Sequence, residues 1–178
     1  MAKFTESLSE QLIGFIEEQK MFFTGTAPNE GRVNVSPKGM DTFKVLSPTK
    51  VAYLDLTGSG NETAGHIHEN GRITIMFCSF TGKPLILRLY GNGEVIDPKN
   101  EQWGNLIKQF PQIPGARQII QLNIVSVQTS CGFGVPFYEY HEDRNVLADW
   151  AQKKGEKALE EYRQKNNRVT IDGKETGY

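Results

Sequence analysis

Cysteine is scarce: the 178 residues contain two, Cys78 and Cys131, far apart and with Cys78 inside an apolar run. Buried, reduced thiols are therefore expected rather than a disulfide. No apolar stretch approaches the roughly 20 residues that cross a bilayer, and Glu6 stands where a signal peptide carries its apolar region. A cytoplasmic protein with no membrane partner is the expectation. Excess positive charge is missing too: Lys and Arg are scattered and the formal charge is -1, so nucleic acid is not an expected partner. Finally, no helix of crossover length separates the central β-patterned segments, which disfavours a parallel α/β fold.

What is present centres on residues 57–71. This glycine-rich stretch joins two runs, 51–56 and 72–78, whose β-branched and aromatic residues suit pleated, half-buried strands. Ser59 and Glu62 have the spacing of a capping box, and Asn70-Gly71 supplies a stop, so a helix of about two turns is predicted between the strands. Gly58 and Gly60 resemble a fragment of a dinucleotide fingerprint, but the third glycine is missing and no long helix follows. A Rossmann site is rejected. Free backbone N–H groups on a glycine turn that opens a helix form a natural anion cradle; an ordinary capped turn is the alternative.

Along the chain, Leu8, Leu12, Phe15 and Ile16 mark an amphipathic helix over 6–20. Strands are predicted over 21–26, 32–36 (stopped by Pro37), 42–46, 51–56, 72–78, 84–96 and 117–129. In the second of these, Val33 and Val35 point one way and Asn34 and Ser36 the other, so Ser36 and the following Lys38 face a polar site. Gly91 and Gly93 inside a long strand suggest a bulge or bend. Arg88, on an otherwise apolar strand, needs either a carboxylate or an anionic ligand. A helix is predicted over 99–110. The segment from Cys131 is aromatic and glycine-rich, suited to contact with a ligand or second subunit, or to a turn over the core. Asn145 is read as the cap of a helix that runs past Gly155 to Lys165. Residues 1–165 thus form a single domain, and 166–178 a polar, loosely held tail. Short strands with peripheral helices argue for a mainly β, small antiparallel barrel.

With these residues assembled, the chain resembles the pyridoxamine 5'-phosphate oxidase-like family of flavin-binding split barrels. The resemblance rests on the run 32–39 containing Val35, Ser36 and Lys38, on residues 58–63 with His66 behind them, on 87–91 with Arg88, and on 131–136. The later Asn167, Thr170, Ile171, Asp172 and Gly173 resemble an ending found in one branch of that family. The resemblance implies a six-stranded Greek-key split β-barrel that forms a homodimer with FMN at the interface. It implies that Val35 and Ser36 lie along the flavin ring or ribityl chain with Lys38 nearby, and that Thr57, Asn61, Glu62 and Thr63 form the phosphate stretch, with Arg88 beside it. It also implies that Phe133, Gly134, Val135 and Pro136 approach the flavin from the partner subunit.

The sequence departs from members that oxidise pyridoxamine phosphate. Those carry Ser-Arg-Lys where this chain has Asn61, Glu62 and Thr63, and the Arg/Trp-rich C-terminal signature is absent. The expectation is an FMN-dependent oxidoreductase acting on an unassigned small molecule or electron donor, with no catalytic base identified. A non-catalytic module that carries or senses flavin, haem or a deazaflavin such as F420 is the alternative. A metal site on His66 and His68 is not expected, because residues two apart on a helix face opposite sides.

Overall fold

The computed structural model describes residues 2–178. The chain runs β1 (Lys3–Thr5), α1 (Glu10–Glu18), β2 (Phe22–Thr26), β3 (Asn34–Lys38), β4 (Phe43–Ser47), β5 (Lys50–Leu56), α2 (Glu62–Asn70), β6 (Arg72–Cys78), β7 (Ile86–Ile96), α3 (Trp103–Leu106), β8 (Ala116–Ser130) and α4 (Val146–Asn166). Seven strands follow the order β3-β2-β6-β7-β8-β5-β4, every pair antiparallel, and β1 adds to β8 beside that path. The expected barrel is thus seven strands plus a short eighth, not six. Residues 3–5 are too few to show a period, which is why β1 was not predicted.

The sheet is strongly curled. Phe22 of β2 and Phe43 of β4 are far apart in strand order, yet their rings meet at 4.9 Å, and Tyr53 and Phe77 complete an edge-to-face cluster with them. Each such aromatic pair contributes about 0.5–1.5 kcal/mol beyond its burial. Val51, Tyr53, Ile75, Leu87, Leu89, Ile120 and Leu122 fill the inside of the curl. Alternate residues of the same strands, Ala52, Leu54, Ile96 and Ile119, pack outward with Trp103 and Leu106 of α3. The strands β3 and β4 remain the two edges of this half-barrel.

Several boundaries differ from expectation for identifiable reasons. Strand β3 runs through Pro37 to Lys38, which the missing N–H permits because β3 is an edge. Helix α3 starts only at Trp103, after a turn in which Asp97 Oδ1 captures the N–H groups of Lys99 and Asn100, and a 3-10 turn over Ile107–Gln109 continues it. Asn145 makes no side-chain cap, and α4 is broken at Gly155, whose φ is 75°. Gly91 does mark a bulge: the β7–β8 register shifts between Tyr90 and Gly91, and a Cβ at Gly91 would collide with the Asn123 carbonyl.

The C-terminal tail is not loosely held. Asn167, Thr170 and Thr176 are buried, Val169 and Glu175 form a bridge, and Lys174 Nζ reaches Glu69 of α2 at 3.1 Å.

Candidate functional site

A pocket of about 780 Å³ opens between β3, the end of β5, the turn before α2 and the C-terminal segment. Its base is a buried charge cluster. Asp55 continues the inward row of Val51 and Tyr53, so the strand carries a carboxylate to the end of the core. Arg117 Nη2 meets Asp55 Oδ2 at 2.6 Å, and Lys38 Nζ meets Oδ1 at 2.9 Å from across the gap between β3 and β5. Gln118 Nε2 donates to Asp55 Oδ2 at 3.0 Å. Burial works to raise the Asp55 pKa, but Arg117 and Lys38 overcome it and hold the carboxyl far below the usual carboxylate range. Tyr53, by contrast, is pushed well up by burial and by Asp55, so its hydroxyl stays protonated.

A slipped register makes this cluster possible. Asp55 pairs with Gln118 and Leu56 with Ala116, so Arg117 is the extra residue of a β-bulge. Strict alternation would send Arg117 and Gln118 to opposite faces; the bulge turns both toward Asp55.

The wall is polar. On β3, Ser36 and Lys38 face inward as the alternation predicts, joined by Asn34, whose Nδ2 donates to Ser36 Oγ at 3.2 Å and to Thr63 Oγ1 at 3.4 Å. Opposite them lies the turn 58–61 and the start of α2. Ser59 does not cap this helix; Asn61 is the N-cap and makes no side-chain cap bond. Glu62 instead accepts the Ile171 N–H at 3.0 and 3.2 Å, because the C-terminal segment lies within its reach and offers an unpaired donor. Gly71 ends the helix in the left-handed conformation, as expected.

Of the residues singled out from sequence, Ser36, Lys38, Asn61, Glu62 and Thr63 converge on the pocket. Val35 is on the outward face and 65% exposed. Thr57 lies behind the wall, donating to the Gly115 carbonyl at 2.8 Å and accepting from Arg163 Nε at 2.8 Å. Arg88 is on β7 and donates to Ser130 Oγ at 3.3 Å, outside the pocket lining. Phe133, Gly134, Val135 and Pro136 are outside it as well, in the segment after β8, where Phe133 is 81% exposed.

Asp55, Arg117 and Gln118 were not anticipated, and Asn167 was noted only as part of a family-like ending, with no role in the site. A lone carboxylate inside the apolar run 51–56 was a legible signal for Asp55. The other three depend on the bulge and on the folding-back of the tail, which leave no local mark. His66 is buried with Nδ1 2.9 Å from Thr26 Oγ1, while His68 is exposed, so the two rings do not converge. Among the described residues no group of three His, Cys, Asp or Glu side chains is placed to hold a metal ion.

Comparison with known proteins bears on this geometry. The family model described as pyridoxamine 5'-phosphate oxidase matches residues 8–131. The chain belongs to the pyridoxamine 5'-phosphate oxidase family. A curated relative from Aspergillus flavus, the pyridoxamine 5'-phosphate oxidase family protein ustO, is 42% identical over 193 aligned residues, covering 97% of this chain and 77% of the relative. Among solved structures, a candidate pyridoxamine 5'-phosphate oxidase from Lactobacillus delbrueckii superposes with a TM-score of 0.55 at 22% identity, over 69% of this chain and 94% of its own. HupZ from Group A Streptococcus gives 0.53 at 16% identity, over 66% and 89%. An FAD binding protein from Mycobacterium smegmatis gives 0.51 at 10% identity, over 71% and 97%. At these identities the three structures speak to the fold alone. The family model ends at residue 131, so the C-terminal wall of this pocket lies beyond the part it matches. No helix among the described residues is long and apolar enough to cross a membrane.

Proposed function

We propose that this family member binds FMN by its phosphate in the pocket and acts as an FMN-dependent oxidoreductase on a small molecule other than pyridoxamine phosphate. The observation that carries the reading is the donor set at the start of α2. No protein acceptor among the described residues takes the backbone N–H groups of Ser59, Gly60, Asn61, Glu62 or Thr63. The Asn61 side-chain Nδ2 is buried and without a partner beside them. Such a ring of donors at a helix start suits a phosphate.

The carboxylates are offset. Lys38, Arg117 and Arg32 line the pocket beside Asp55 and Glu62, with Lys38 and Arg117 paired to Asp55 and Arg32 paired to Asp172. The Glu62 carboxylate is held by the Ile171 N–H, which orients it without removing its charge. The volume lies within the range of about 300–1,000 Å³ usual for cofactor sites. Bound FMN would supply the electron transfer. Ser36 and Thr63 would donate or accept at the ligand's polar chain. Asn34 orients both hydroxyls, and Asp55 fixes the Lys38 ammonium at one edge. The homodimer, with Phe133 to Pro136 reaching a neighbouring flavin, is part of the same reading. Exposed Phe133, Phe137, Tyr138 and Tyr140 support it, because aromatic groups in such number gain by being covered. Membership of the pyridoxamine 5'-phosphate oxidase family supports the flavin class of ligand.

The test is the absorption spectrum of the purified protein, mass spectrometry of the cofactor released on denaturation, and FMN titration of the stripped protein. Stoichiometric FMN, weakened by Ser36→Ala with Thr63→Ala, is expected. Reduction by NADH or NADPH and reoxidation by an acceptor would establish turnover. Release of haem or a deazaflavin, or no binding of FMN at micromolar concentration, would overturn the reading.

A further inference from the structure

The turn 58–61 owes its orientation to two residues remote in sequence. Asn167, fully buried, donates from Nδ2 to the Gly58 carbonyl at 3.2 Å. Arg117 donates from Nη1 to the Gly60 carbonyl at 3.1 Å and to Asn167 Oδ1 at 2.8 Å. No peptide bond here is cis, and in a trans unit the C=O and the following N–H point in opposite directions. Drawing the Gly58 and Gly60 carbonyls onto Asn167 and Arg117 therefore turns the N–H groups of Ser59 and Asn61 the other way. Both residues line the pocket.

A second relay, anchored on the same Asp55 that holds Arg117, fixes the Asn61 side chain. The ionised Asp55 only accepts hydrogen bonds, so Gln118 must present its NH2 to it. The same Nε2 donates to Asn61 Oδ1 at 2.8 Å. Asn61 is thereby compelled to keep its oxygen inward, and its Nδ2, on a residue 3% exposed, is left without a partner in the pocket wall.

The C-terminal segment also manages the local carboxylates. Ile171 N–H takes Glu62, and Asp172 pairs with both the backbone N–H and the guanidinium of Arg32. The segment seats on Gly65, where the Thr170 methyl fills the space a Cβ would need.

We propose that residues 167–178 are a working part of the ligand site, with Asn167, Arg117 and Gln118 as positioning residues that preset three donors for the oxygens of a phosphate monoester. This rests on the phosphate reading above and adds to it the dependence on the C-terminal segment. The pocket then discriminates a phosphorylated ligand from its dephosphorylated form through Asn167, which lies beyond the matched residues 8–131, acting with Arg117 and Gln118 inside them.

The test compares the protein with its Asn167→Ala variant in fluorescence titrations with FMN and with riboflavin, which lacks the phosphate. FMN affinity falls by about tenfold or more, as loss of hydrogen bonds to a charged group requires, and riboflavin affinity is unchanged. Equal losses for both ligands, or no loss for FMN, overturn the proposal. An amide NMR titration of the unmutated protein with inorganic phosphate reads the same point without a variant. The Ser59 and Asn61 amides and the Asn61 side-chain NH2 shift together; no shift at these groups overturns it. If these groups respond to phosphate while the protein binds no FMN, the flavin reading falls and the positioning role stands.

Discussion

Asp55 and Arg117 form a buried ion pair of 2.6 Å at the point where the β5–β8 register slips by one residue. The slip and the pair depend on each other. Without the bulge Arg117 would leave the cluster, and without Asp55 its guanidinium would be buried uncompensated.

Asp55→Asn is therefore expected to destabilise the fold by about 3–5 kcal/mol, the usual cost of stranding a buried partner charge. Lys38→Met removes a partner that is more exposed and leaves the Arg117 pair intact, so its cost is smaller. Urea unfolding of both variants checks the order.

Stability should depend on pH through His66. Burial lowers the His66 pKa against the raising effects of Glu62, Glu69 and Asp172, so the folded state favours the neutral ring. As pH falls through about 6.5 the unfolded chain takes up the proton first, and stability declines. Asp55, whose folded pKa is depressed, adds a second loss below about pH 4. Thermal melts across this range should show both declines in the wild type and only the lower one in His66→Gln.

Glu62→Gln should move affinity and stability in opposite directions. It keeps an acceptor for the Ile171 N–H but removes a negative charge from the pocket, so FMN binds more tightly in titration. Loss of an acidic residue in the first turn of α2 costs about 0.3–1 kcal/mol in a melt.

The two strand glycines should differ. Gly91→Ala drives a Cβ into the Asn123 backbone, which cannot yield without shifting β8, and a cost of about 1–3 kcal/mol is expected. Gly93→Ala meets side-chain carbons of Ile67 and Ile73 rather than backbone, and its cost by urea unfolding should be lower.

Much of this architecture was legible in the chain. The period-2 runs gave seven strands, the Gly71 stop and the bulge at Gly91 were visible as turn chemistry, and alternation in β3 correctly aimed Ser36 and Lys38 at the pocket. The capping box failed because Glu62 had a choice of donors, and the Ile171 N–H lies 109 positions away. The tail looked loose because its residues are polar, and polar residues become ordered by partners that only the fold supplies.

The sequence by itself determined a curled antiparallel sheet and a donor-rich turn before a short helix, since these follow from local periodicity and glycine placement, and the order of its motifs carries the resemblance to the pyridoxamine 5'-phosphate oxidase family. Only the tertiary structure decided which way that turn faces. Its direction is set by Asp55, Arg117, Gln118 and Asn167, which are brought together by a one-residue bulge and a returning C-terminus. Neither leaves a periodic trace, because hydrogen bonds between distant residues depend on where the chain goes and not on how it is spaced.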